Sequence, residues 1–341
     1  MLKNNTNIYT KNNNKFTNDT LKEMQSWDLD RKIATSLTRI AEFYNYFPHK
    51  IIISFSGGKD STVLLHLVRR LYPDTPALFV DTGLEYPELR EFVKTIDNVI
   101  WLKPEMNFRD VIKNYGYPII SKEVSKVIND ARSAIKNGKE KTSYAVKQLN
   151  GEYINPKTGL KSPYNKENYK FLFKSPYKIS SKCCDIMKKK PIKKFEKESG
   201  YHSIIGTMAC ESRQRQTQWL KYGCNAFKAI NPSSKPLSFW TEQDILEYIT
   251  RYNLSYASVY GEIKIDESGK YYTTGCNRTG CVFCMYGCHL DKEPTRFQRL
   301  KNTHPKIYEY CMKSWNNGGL GLKDIMDYIN ENGNLRNKIK Y

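Results

Sequence analysis

The sequence predicts an α/β protein: a parallel sheet with flanking helices, plus a helical C-terminal region that carries cysteines. Three observations predict it. Short apolar runs rich in β-branched residues alternate with amphipathic stretches across residues 51–104. The first run passes directly into a double-glycine turn and a helix. Four thiols crowd residues 276–288, beyond the last alternation.

Residues 1–18 are polar and Asn-rich, which predicts a mobile tail with little to bury. Residues 19–48 form an N-terminal helical segment, because Ile33, Leu37, Ile40, Ala41 and Tyr44 recur at helical spacing. Residues 49–260 form the main α/β domain. In it "IIISF" is a strand and residues 62–71 a helix with Val63, Leu64, Leu67 and Val68 on one side. "ALFVDTG" is a second strand, "YPELREFVKTI" a second helix with Pro87 near its start, and "NVIWLKP" a third strand. Strands joined by such short helical crossovers run parallel. Residues 121–150 read as helical and basic, and an irregular insertion lies near 140–180. "CCDIMKKKPIKKFEKESG" is a helix broken at Pro191, and "YHSIIGTMA" a further strand. "WTEQDILEYI" opens a helix at Thr241, with Asp244 as its box partner. Residues 261–341 hold the cysteine-bearing loop and terminal helices, and no internal repeat is present.

Lys+Arg numbers 55 against 35 Asp+Glu, a net charge of +20. Two readings stand: a polyanionic partner whose attraction falls with salt, or an AT-rich coding bias that inflates Lys along with Asn, Ile and Tyr. No apolar run reaches membrane-spanning length, and the first residues have no apolar core of a secretory signal. A cytoplasmic protein without a membrane partner is therefore expected. Nine cysteines, an odd number without an export signal, argue for reduced thiols: metal ligands, catalytic groups or core residues.

The stretch "SFSGGKDS" carries the most chemistry. A strand running into Gly57-Gly58 and a helix start surrounds an anion with backbone N–H groups at the positive end of a helix dipole. Lys59 adds a cation, and Ser56 and Ser61 add hydroxyls. It is not the common phosphate loop, since Asp60 stands where that motif needs Ser or Thr, and Ile53 where it needs Gly. In "VDTGLEYPE", Asp81, Thr82 and Gly83 fall at the carboxyl end of the second strand, where an open parallel sheet binds ligands. Arg213 and Arg215 in "ESRQR" offer forked donors for phosphate oxygens, with Glu211 to orient them. Cys281 and Cys284 form a C-x-x-C, and Cys183-Cys184 a second pair. Two ligand sets are open: Cys276, Cys281, Cys284 and Cys288, or Cys183, Cys184, Cys281 and Cys284.

The S-G-G-K-D-S pattern resembles the PP-loop of the ATP pyrophosphatase superfamily. "KCCDIMKKKPIKKF", "GTMACESRQRQ", "PLSFWTEQDILEYI" and "RTGCVFCMYGCHLDKEPTRFQRLKNTHPKIYEYC" resemble segments of the phosphoadenosine phosphosulfate (PAPS) reductase-like family. The resemblance implies an adenine-nucleotide α-hydrolase-like, Rossmann-like core. It implies a nucleotide site of Ser54, Ser56, Gly57, Gly58, Lys59, Asp60, Ser61, Asp81, Thr82, Gly83, Gly206, Glu211, Ser212, Arg213 and Arg215. Lys59, Asp60, Asp81, Arg213 and Arg215 would be catalytic, with ATP and Mg2+ as cofactors. It favours the second cysteine set, holding a [4Fe–4S] cluster with Zn2+ as the alternative. Lys59 is retained, whereas reductases of the family tend to lose it. The reductase tail cysteine is not matched either, because no cysteine follows Cys311. Both departures point to the ATP-using sulfurtransferase branch, similar to DNA-phosphorothioation and tRNA-thiolating enzymes. That branch implies a sulfur donor such as a cysteine desulfurase, and the +20 charge with the basic stretch Lys182 to Lys197 points to a nucleic-acid acceptor, DNA or tRNA. The alternatives are a PAPS or adenylylsulfate reductase and a non-catalytic nucleotide-sensing or nucleic-acid-binding subunit.

Overall fold

The computed structural model describes residues 16–341. In chain order it runs α1 (Asn18–Ser26), α2 (Leu29–Tyr46), β1 (Ile51–Ser54), α3 (Lys59–Leu71), β2 (Ala77–Val80), α4 (Pro87–Lys94) and β3 (Val99–Leu102). Then come α5 (Phe108–Tyr115), β4 (Ile119–Ile120), α6 (Lys122–Lys136), α7 (Tyr144–Asn150), α8 (Lys190–Ser199), β5 (His202–Ile205) and α9 (Arg213–Tyr222). The chain continues with β6 (Asn225–Ala226), β7 (Ser233–Ser234), α10 (Glu242–Arg251), β8 (Ile263–Ile265), β9 (Tyr271–Thr273) and β10 (Met285–Tyr286). It closes with α11 (Arg296–Thr303), α12 (Pro305–Met312) and α13 (Leu322–Asn332).

These elements form two compact units that interleave along the chain. The first takes residues up to 81, 85–102 and 192–279; the second takes 82–84, 103–191 and 280–341. The segments expected from sequence were 1–18, 19–48, 49–260 and 261–341, and each of the two units draws on more than one of them.

The first unit is a six-stranded sheet in the order β3-β2-β1-β5-β7-β6, parallel except for β6. The strand order reverses between β1 and β5. That reversal opens a crevice beyond the carboxyl ends of the strands, and the glycine loop follows β1 into it. Phe43, Leu64, Leu67, Phe239, Trp240 and Tyr248 are among the residues that fill the core. Buried Lys32 ties α2 to α10, donating to both carboxylate oxygens of Asp244 at 2.8 Å. Asp244 also accepts the Thr241 N–H at 2.6 Å, completing the capping box expected there.

Where one N-terminal helix was expected, two form. Asp28 accepts the Arg31 N–H at 2.8 Å and starts a new helix, so the chain turns at Trp27. The expected tail falls mostly outside the described residues; its described end is packed, with Phe16 against Trp219 at 5.2 Å between ring centroids.

In the second unit, β4 pairs in parallel with β10, Met285 opposite Ile119. The basic stretch expected as helical becomes two helices, α6 and α7, packed on each other. The insertion that follows is irregular, with a 3₁₀ segment (Glu167–Lys174) and one bridge between Ile154 and Lys161. Arg132 pins it to α6 by donating to the carbonyls of Leu172, Phe173, Ser175 and Tyr177. Pro191 does not break its helix as expected. It is the second residue of α8, just after a π turn (Asp185–Lys189), and the wider turn accommodates a ring that has no N–H to donate. Among the described residues, no helix is long and apolar enough to cross a membrane.

Candidate functional site

The loop after β1 owes its shape to Gly57, whose φ is +74°. A Cβ there would lie 2.9 Å from Val93 Cγ2 and 3.2 Å from the Leu89 carbonyl, so only glycine fits. Half-buried Ser54 ends β1. The Ser56 N–H donates to Ser61 Oγ at 3.2 Å, the two hydroxyls meet at 3.1 Å, and Ser61 Oγ donates to the Gly58 carbonyl at 2.9 Å. Gly58 caps α3 without a side chain, which leaves first-turn N–H groups for an outside acceptor. Gly206, just past β5, passes so close that a Cβ would lie 3.0 Å from the Asp60 carbonyl. The ends of β1 and β5 and the start of α3 thus converge.

Cations and carboxylates ring this loop. Lys59 is 5% exposed, pairs with Glu242 at 3.2 Å and lies 5.1 Å from the Tyr260 ring centroid. The Tyr260 hydroxyl meets Thr279 Oγ1 at 2.5 Å, and a Cβ on Gly58 would sit 3.2 Å from it. Burial pushes the Tyr260 phenol up to about 12. Burial also raises the Asp60 carboxyl above the usual range, against the opposing pull of Lys59, Arg278 and Arg215. Glu211 contacts the Arg215 guanidinium, accepts from Arg278 at 3.0 Å and takes the Met208 N–H at 2.9 Å. Ser212 caps α9, accepting the Arg215 N–H at 3.3 Å, while Arg213 is exposed on the first turn.

The structure therefore brings Ser54, Ser56, Gly57, Gly58, Lys59, Asp60, Ser61, Gly206, Glu211, Ser212 and Arg215 into the first unit's crevice region. Asp81 belongs to the same unit, but its carboxylate is held by Arg90 at 2.7 Å. Thr82 and Gly83 fall in the second unit. Glu242, Tyr260, Arg278 and Thr279 were missed; the basic "NRTG" just before the C-x-x-C was the available signal for two of them. An array of N–H groups, hydroxyls, one lysine and two arginines can hold a polyphosphate, with Glu242 and Glu211 occupying the cations in its place.

The second unit gathers thiols. Cys183, Cys184, Cys281 and Cys284 line one pocket with Leu84, Phe108, Pro118, Met187 and Lys188, enclosing about 330 Å³ of empty space counting the part open to solvent. Cys183 donates to Cys184 across 3.8 Å. That hydrogen bond, with Lys122 and Lys188 nearby, draws the Cys184 thiol down to about 6 and pushes Cys183 up. Cys276 falls in the first unit, and burial raises Cys288 to about 12. Among the described residues, no three His, Cys, Asp or Glu side chains are close enough together to hold a metal ion as they stand.

Comparison with known proteins matches the phosphoadenosine phosphosulfate reductase domain over residues 50–144 and 139–286. An uncharacterized protein of Methanocaldococcus jannaschii is 25% identical over 279 residues, 79% of this chain and 42% of that protein. Sulfate adenylyltransferase subunit 2 of Escherichia coli O9:H4 is 28% identical over 232 residues, 67% of this chain and 65% of that protein. Phosphoadenosine 5'-phosphosulfate reductase of Buchnera aphidicola is 38% identical over 76 residues, 22% of this chain and 31% of that protein. The chain spans less than two thirds of the length of each. The domain match takes in the glycine loop, the Glu211–Arg215 segment and both cysteine pairs, well over half of the chain. On that ground the chain belongs to the phosphoadenosine phosphosulfate reductase domain family.

Proposed function

We propose that the chain binds ATP in the crevice beyond β1, splits it between the α- and β-phosphates, and transfers the adenylyl group to an acceptor as the activating step of sulfur transfer. The observation that carries this reading is Lys59. It is a buried cation at the start of α3, above a glycine turn that presents N–H groups and two hydroxyls. The likeness to an adenylyltransferase subunit over two thirds of this chain supports it.

In this reading the Ser56–Ser61 loop holds the β- and γ-phosphates, and Arg215, with Arg213 and Arg278, draws charge from the α-phosphate. An acceptor oxygen attacks the α-phosphorus, the bond to the β-phosphate oxygen breaks, and pyrophosphate leaves with the electron pair. A sulfur nucleophile from a donor such as a cysteine desulfurase then displaces AMP, forming the new bond to sulfur. The residues contribute positioning and preorganised charge. Mg2+ entering with ATP would be held by phosphate oxygens and the half-buried Asp60 carboxylate at the start of α3. Asp81, already paired with Arg90, fits that duty less well. The acceptor is a nucleic acid in this reading, DNA or tRNA, supported by the +20 charge.

Cys183, Cys184, Cys281 and Cys284 would hold a [4Fe–4S] cluster. The support is that these four thiols line one pocket. A bound cluster supplies a redox-active iron centre. Anaerobic purification with an iron count and a visible spectrum tests this assignment.

The stretch shared with the Buchnera aphidicola reductase favours a second reading, reduction of an already activated sulfonucleotide. One experiment separates the two. The chain is incubated either with ATP and nucleic acid, or with PAPS and a thiol donor. Pyrophosphate release with ATP supports the proposal; sulfite release from PAPS without ATP turnover supports the second reading instead.

A further inference from the structure

The positive charge is concentrated in one of the two units. The first unit holds 25 Lys+Arg against 21 Asp+Glu (25 − 21 = +4), and the second holds 30 against 14 (30 − 14 = +16). The cysteine-bearing unit thus carries +16 of the +20. The split shows the excess concentrated in one unit rather than spread evenly over the chain. The excess belongs to a surface.

Residues 136–178 are its densest part, with ten Lys, three Glu and no Arg or Asp. Their leading edge is the tip of the α6–α7 hairpin, where Lys136, Lys139, Lys141 and Lys147 are exposed within twelve residues. Between them Tyr144, on the first turn of α7, is 70% exposed. Its ring meets Tyr153 edge-on, at 5.6 Å and 85°, so one edge is supported while the ring stays open to solvent. The Arg132 anchor to four carbonyls holds the neighbouring insertion in place.

We infer that this tip grips a nucleic-acid strand with unpaired bases, the lysines taking phosphates and Tyr144 a base face. Lysines are point charges suited to phosphate oxygens, the contacts that position a nucleic acid. An exposed aromatic among lysines is the arrangement that stacks single-stranded bases. An acidic protein would use the lysines and leave the ring idle. The inference rests on the acceptor being a nucleic acid, but it concerns binding alone and needs no ATP.

The test is fluorescence anisotropy of the full chain with labelled single-stranded DNA, single-stranded RNA and duplex DNA of about 20 nucleotides, without ATP. Salt is varied between about 50 and 200 mM. Lys136→Gln/Lys139→Gln/Lys141→Gln should lower the log–log salt slope for single strands by about 2, at about 0.7 per phosphate contact. Tyr144→Ala should weaken single-strand binding by about 10-fold and duplex binding by under about twofold. Lys221→Gln/Lys228→Gln/Lys270→Gln, exposed lysines of the first unit, should leave the slope unchanged. Equal slopes for the two triple variants overturn the inference. So does an inert Tyr144→Ala, or competition by polyglutamate as strong as by oligonucleotide. The binding assay holds no ATP, whereas pyrophosphate release reads the ATP site, so failure at the tip and failure of the ATP reading are told apart.

Discussion

The pairing of Lys59 with Glu242 makes a two-directional prediction. In the structure the Lys59 ammonium lies 3.2 Å from Glu242 Oε1, but the Glu242 side chain is 47% exposed while that of Lys59 is 5% exposed. A half-solvated pair is worth at most about 1 kcal/mol. A charge-assisted bond from a buried lysine to phosphate is worth about 1.5–3 kcal/mol. Pyrophosphate should therefore displace Glu242. Lys59→Met keeps the packed stem and removes the charge, so the Kd for Mg-pyrophosphate should rise about 10- to 150-fold. Glu242→Gln removes the competing carboxylate, so the Kd should fall, by up to about 5-fold. Isothermal titration calorimetry on the three proteins reads both changes. A Kd unchanged by Lys59→Met refutes the phosphate role. A Kd raised by Glu242→Gln refutes the placeholder reasoning, since the carboxylate would then be helping to hold the ligand.

Gly57→Ala should destabilise the first unit by at least about 1–2 kcal/mol, the cost of forcing a left-handed conformation on a residue that also meets Val93; thermal unfolding reads it, and an unchanged Tm contradicts it. Lys32→Met should cost about 3–5 kcal/mol in urea unfolding, because it strands the Asp244 carboxylate, and Lys32→Met/Asp244→Asn should recover part of the loss. His66 donates to or accepts from the Tyr248 hydroxyl at 2.8 Å, and burial with Arg70 nearby holds its pKa below 6.5. The unfolded chain then binds more protons in the window just below 6.5, so stability is full above that pH and falls as the solution is acidified through the folded pKa. His66→Gln should flatten that acid slope in urea melts at stepped pH; an unaltered slope would leave His66 without the role.

The loop was legible because its information is local: a β-branched run, two glycines and a change of period fall within fifteen residues. Its surroundings were not, because Glu242, Tyr260 and Thr279 reach Lys59 and Gly58 from some 180 to 220 positions away and Arg278 reaches Glu211 from 67, and nothing in short-range pattern pairs them. The grouping into units draws on the same long-range pairing, since residues 103–191 and 280–341 belong to one unit across a long gap in sequence. The turn at Asp28 was readable in principle: an Asp followed by a fresh apolar period is a helix start, overlooked because the apolar spacing continues across it. The two-residue strands β6 and β7 hold too few positions to show any period. Net charge was visible at once, but its concentration in one unit emerged only when the chain was folded.

The most direct measurement of the central claim is phosphorus NMR of Mg-ATP turned over by the chain with nucleic acid present, for wild type and Lys59→Ala. Pyrophosphate and an adenylyl product from wild type, absent from Lys59→Ala, are the expected signals. ADP and orthophosphate from wild type, or equal turnover by both proteins, would contradict a loop that holds the outer two phosphates while the α-phosphate is transferred.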